Sequence, residues 1–121
     1  MKFTREIPSA LMIRNIADGE IRIGETTYRN TIALTTEKVF DDWQDVVVTS
    51  LSVEHFAPVL ETGPELIVLG TGKRNLFAPK TLIFALARQG IGLEVMDTSA
   101  AARTFNVLAG EGRKVAAVLY L

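Results

Sequence analysis

The chain has no cysteine, one histidine and one tryptophan among its 121 residues. Without cysteine there are no disulfides, zinc–thiolate sites or thiol nucleophiles, which fits a reducing compartment. One histidine and no thiolate leave too few soft donors for a transition-metal site. That histidine, His55, has no G-x-S-x-G elbow to pair with, so no hydrolase triad is assembled. Long apolar runs are also missing: nothing approaches the ~18 residues of a membrane span. The opening "MKFTREIPSALMIRN" offers neither a long apolar core nor a small-residue cleavage site, so the expectation is a cytoplasmic protein with no direct membrane insertion. A dominant charge is lacking too. Thirteen basic residues against 14 acidic ones set up no global field toward nucleic acid, and the basic residues are not interleaved with aromatics as in nucleic-acid grooves.

What is present suffices for one domain. A chain of 121 residues with 48% hydrophobic content buries roughly two-thirds of its unfolded surface in a single core, and no linker, repeat or low-complexity segment divides residues 1–121. Charge is segregated locally. From Glu37 to Leu66 the acids Glu37, Asp41, Asp42, Asp45, Glu54, Glu61 and Glu65 face one base, Lys38. Beyond that, Lys73, Arg74, Lys80, Arg88, Arg103, Arg113 and Lys114 outnumber Glu94, Asp97 and Glu111. The acids around Trp43 lack calcium-loop spacing and read as a solvated face.

The pattern of apolar residues changes period along the chain. "LMIRNI", "IRIG" and "TTYRNTIAL" read as strands of a small antiparallel meander, with hairpin-turn chemistry at Asp18-Gly19. "LSVEHFAPVLE" reads as a short helix capped by Ser52. Then come strand "ELIVL", helix "PKTLIFALARQ", strand "IGLEVM", helix "TSAAARTFNVLAGEG" and strand "KVAAVLYL", a βαβαβ order that predicts a parallel or mixed sheet covered by helices. In the first of these helices Pro79 is expected in the opening turn, Leu82, Ile83 and Leu86 form the packing stripe, and Gly90 supplies the stop. Phe84 falls about 200° around from Leu82 at ~100° per residue, so it meets either a second layer of the same chain or a protein partner. In the last helix Ala101, Phe105 and Leu108 form the packing stripe, with Thr98 or Ser99 as the cap and Arg103 and Asn106 on another face.

The stretch "LGTGKRNLFAPK" is the candidate site. Gly70-Thr71-Gly72 and Asp97-Thr98-Ser99 are expected at the carboxyl ends of strands leading into helices, where open α/β sheets bind ligands and free N–H groups favour anions. Gly70, Thr71, Gly72, Lys73, Arg74, Asp97 and Thr98 are therefore the candidate ligand residues, with Lys73 and Arg74 as charge partners. The glycine spacing fits neither a P-loop nor a dinucleotide fingerprint, whose third glycine is replaced by Asn75. The alternative is a tight turn with solvated bases. Glu94 and Asp97 could pair as acid and base, but Asp97 is placed to cap a helix. No catalytic residue, cofactor or metal is assigned.

"LGTGKRNLFAPKTLIFALARQGIGLEVMDTSAAARTFNVLAGEGRKVAAVLYL" resembles a small uncharacterised-domain family that includes the mitochondrial respiratory complex I assembly factor three, the adipogenesis-associated domain protein of animals and stand-alone bacterial members. The telling parts are G-T-G at Gly70 to Gly72, Pro79 after Phe77, "GIGLEVMDT", and "ARTFNVLAGEGRKVAA", with Lys80 where relatives often have a second proline and Phe105 where they have tyrosine. The resemblance implies a three-layer α/β domain whose mixed sheet curls partly on itself. It also implies a non-catalytic module that binds a protein partner, by analogy during assembly of a membrane complex; Phe84, by its place outside the packing stripe, is the candidate contact.

Overall fold

The computed structural model describes residues 12–17 and 19–121. The first residue of the expected opening strand, Leu11, and the turn residue Asp18 lie outside these. Three short strands, β1 (Ile13–Ala17), β2 (Glu20–Ile23) and β3 (Thr26–Tyr28), form an antiparallel sheet in the order β1-β2-β3. Ala17 pairs with Glu20, and Gly19 takes the left-handed conformation (φ 73°) that a two-residue hairpin loop requires.

The segment "TTYRNTIAL" is not one strand. It breaks at Arg29-Asn30, and its second half, β4 (Ile32–Thr35), joins a second sheet together with β5 (Val39–Phe40), β6 (Leu66–Thr71), β7 (Gly92–Met96) and β8 (Val115–Tyr120). The order is β5-β4-β8-β6-β7. β6 runs parallel to β7 and β8, whereas β4 runs antiparallel to β8, so the sheet is mixed. The expected curl takes the form of these two sheets, and neither closes into a barrel.

Strand periodicity sends alternate residues of the five-stranded sheet to opposite faces. Ile32, Leu34, Val68, Val115, Ala117 and Leu119 pack with Ala101 and Phe105 of α3 (Thr98–Gly110) and with Ile13, Ile21 and Ile23 of the small sheet. Ala33, Ile67, Leu69, Ala116 and Val118 pack with Leu82 and Leu86 of α2 (Lys80–Arg88) and with Phe56 and Val59. The result is three layers with the large sheet in the middle, as the βαβαβ pattern predicts.

The helix ends show local chemistry at work. The segment expected as one helix after Ser52 is a 3-10 turn, Val53–Phe56, followed by one α-turn, α1 (Ala57–Leu60). Pro79 precedes α2 instead of opening its first turn, and its carbonyl accepts from the N–H groups of Leu82 and Ile83 at 3.1 and 3.2 Å. At the other end Gly90 has φ 78°, its N–H reaches Ala87 O at 2.9 Å, and Ile91 N–H reaches Leu86 O at 3.0 Å. This is the paired C-terminal motif that favours glycine. Gly112 repeats it after α3, with bonds to Ala109 and from Arg113 to Leu108.

Candidate functional site

The candidate residues converge where β6 ends under the N-terminus of α3. Gly70 and Thr71 are the last residues of β6 itself, not of a loop beyond it, and they pair with Met96, Leu119 and Tyr120 on the neighbouring strands. Gly72 follows with φ 101°. Thr98, which the sequence offers as a cap, is instead buried. Its hydroxyl accepts the Gly72 N–H at 2.8 Å and donates to Tyr120 O, and its own N–H bonds Gly72 O at 2.9 Å. The cap is Asp97, whose carboxylate accepts from Ala100 N–H at 2.9 Å. The ends of β6, β8 and α3 are thereby tied by one side chain.

Thr71 shapes the loop that follows. Its hydroxyl donates to Arg74 O at 2.6 Å and accepts Leu76 N–H at 3.1 Å, folding residues 72–76 back over the strand end. Lys73 and Arg74 are exposed. A cleft of about 130 Å³ is lined by Gly72, Lys73, Thr98, Ser99, Tyr120 and Leu121, among others. The structure thus brings Gly72, Lys73 and Thr98 to one cleft, while Arg74 and Asp97 lie outside its lining. The Gly72 and Ala100 N–H groups, which an incoming anion would use, already have partners within the chain.

Other features were not visible as a site in the sequence. Trp43, placed there among solvated acids, is half-buried, stacks edge-on against Phe56 at 5.3 Å, and directs its Nε1–H to the Tyr120 hydroxyl at 3.4 Å. Tyr120 in turn donates to Val46 O at 2.7 Å. Burial, reinforced by the negative charge of Asp45, raises the Tyr120 pKa against the opposing bond from Trp43. These rings border a wider cleft of about 550 Å³ with Asn30, Thr31, Asp45 and Val47. The signal available in sequence was the lone tryptophan itself.

His55 serves a local role. Its Nδ1 accepts the Ser52 N–H at 3.0 Å, while the Ser52 hydroxyl donates to Glu54 at 2.8 Å. This bond from Ser52 is the main cause of a lowered Glu54 pKa. Among the described residues no group of three or more His, Cys, Asp or Glu side chains could hold a metal ion, and Asp41, Asp42 and Asp45 are exposed. No helix among them is long and apolar enough to cross a membrane.

Phe84, the candidate protein contact, is 59% exposed, while Leu82 and Leu86 of the same helix are buried. No second layer of the described residues covers it. Lys80, Phe84 and Arg88, four apart, form one outward stripe.

This arrangement is similar to that of an Mth938-like α/β domain. A Bordetella pertussis protein described as such a domain superposes with a TM-score of 0.79 at 27% identity, covering 99% of this chain and 92% of that one. Over residues 13–120 the chain matches, and belongs to, the DUF498/DUF598 family of proteins of unknown function. It is 31% identical over 101 residues to the "13 kDa major membrane protein" of Francisella tularensis subsp. holarctica, covering 82% of this chain and 80% of that protein. It is also 31% identical over 119 residues to the Bos taurus NADH dehydrogenase [ubiquinone] 1 alpha subcomplex assembly factor 3. That match covers 95% of this chain but only 63% of the assembly factor.

Proposed function

We propose that the domain is a non-catalytic protein-binding module of the assembly-factor kind, acting in a bacterial cytoplasm on subunits of a membrane complex. The observation that carries this reading is Phe84, 59% exposed on a helix whose opposite side is locked into the core. Aromatic residues and arginine are enriched at protein interfaces, and Arg88 shares the outward stripe with Phe84. The similarity to proteins named as complex assembly factors supports the same direction. The test is affinity capture with wild type and Phe84→Asp, the fold of each checked by circular dichroism. Wild type alone should retain its partner, and equal retention by both would overturn the reading.

A second reading rests on the 130 Å³ cleft lined by Gly72, Lys73, Thr98 and Ser99: a small anionic ligand held there with Lys73 as its charge partner. It requires thermal stabilisation by inorganic phosphate or a carboxylate metabolite that Lys73→Ala weakens. An unchanged melting curve across such ligands would oppose it.

A further inference from the structure

We propose that the loop between β6 and α2 docks this domain onto an anionic bilayer surface, with Phe77 entering the headgroup region. The inference goes beyond the partner-binding reading and does not depend on it. Phe77 is 93% exposed and its neighbour Leu76 39%. This is not the exposure of a loose segment. Thr71 fixes the loop at Arg74 and Leu76, the Pro79 carbonyl starts α2, and Ala78 between them packs against the core. The chain therefore holds an aromatic ring outward from a short span anchored on both sides, at the full hydration cost of its apolar surface.

Along the chain, the charges on either side of the ring have one sign. From Leu69 to Ile91 the sequence carries Lys73, Arg74, Lys80 and Arg88 and no acid, although the chain as a whole has a formal charge of -1. Lys73, Arg74 and Lys80 are all exposed and lie within four residues of Phe77. Bases within a Debye length of an anionic leaflet are drawn to it, and an aromatic ring is well accommodated at the level of the headgroups.

Shape favours a bilayer over a protein socket. Phe77, 93% exposed, lines neither of the clefts described above. A protein partner would have to supply a matching pocket, whereas the interfacial region of a bilayer receives a protruding ring without one. Attachment of this kind is peripheral and reversible, and no spanning helix takes part.

The test is co-sedimentation of the full chain with vesicles of phosphatidylcholine containing phosphatidylglycerol, and with phosphatidylcholine alone. Binding is expected only to the anionic vesicles, weakened about fivefold by each of Arg74→Ala and Lys80→Ala and lost at high salt. Phe77→Asp, at a fully solvated position that leaves the fold intact, should abolish it, while Phe84→Asp should retain it and so separate this site from the protein contact. Because the chain has no cysteine, Leu76→Cys gives a unique attachment point for a polarity-sensitive dye, whose emission should shift to the blue on anionic vesicles. Absence of binding to anionic vesicles, equal binding by Phe77→Asp, or equal loss in Phe77→Asp and Phe84→Asp would overturn the assignment.

Discussion

A β-carbon on Gly70 would lie 2.8 Å from both Cα and Oγ1 of Thr98 and 3.1 Å from the Ala101 β-carbon. The end of β6 and the start of α3 are in backbone contact, and glycine at 70 is what permits it. The nearest obstacle includes main-chain atoms, so no rotamer change relieves it. Gly70→Ala should cost about 1 to 3 kcal/mol by overpacking, read as a lower denaturant midpoint with an unchanged slope. Unaltered stability would mean that α3 moves freely on the sheet.

Gly72 makes the opposite case. An added β-carbon there meets nothing nearer than Leu121 O at 3.7 Å, but φ is 101°. Gly72→Ala should therefore destabilise through backbone strain, by roughly 1 to 3 kcal/mol. The two substitutions give similar losses for different reasons, a steric clash in the first and a left-handed backbone in the second.

Thr98 joins three elements with one hydroxyl, accepting from Gly72 N–H and donating to Tyr120 O. Thr98→Val keeps the shape and leaves both groups unpaired in a buried setting, a loss of about 2 kcal/mol. Thr98→Ser, which keeps the oxygen, should lose much less. Chemical denaturation of the pair decides the point, and equal losses would remove the hydrogen bonds from the account.

Asn106 explains how the small sheet is held. Its side chain accepts the Ile13 N–H at 3.1 Å and donates to Ile13 O at 2.8 Å, taking the place of a neighbouring strand at the free edge of β1. Asn106→Leu should speed hydrogen exchange at Ile13 selectively and lower stability by about 1 to 3 kcal/mol.

Tyr120 gives a pH dependence with a definite sign. Burial raises its folded pKa above the ordinary value of 10.0, so the native state holds this proton more tightly than the unfolded chain. The stability it contributes is fully present below the unfolded pKa and falls as pH rises through the folded one. Wild type should therefore lose stability above about pH 10 more steeply than Tyr120→Phe, as followed by unfolding at a series of alkaline pH values.

Much of the architecture was legible because its signals are local. α2 carries its stripe in Leu82 and Leu86 and its stop in Gly90, and the strands after Gly63 are short apolar runs between turns. The break in "TTYRNTIAL" was missed because both halves have β character, and only distant pairing with β8 assigns the second half to the large sheet. The Thr98 hydroxyl, Asn106 on Ile13 and Tyr120 beside Trp43 join residues 22 to 93 positions apart. No short window contains such pairs. Phe77 was equally hidden, since an apolar residue before a helix ordinarily turns inward.

The proposed role of α2 is to present Phe84 to a protein partner. The most direct measurement places a photo-crosslinking amino acid at position 84 and, as a control, at Val107, which is equally exposed at 59% on α3. Irradiation in the native cell should give one discrete higher-mass adduct from position 84 and none from 107. No adduct from position 84, or the same adducts from both positions, would contradict it.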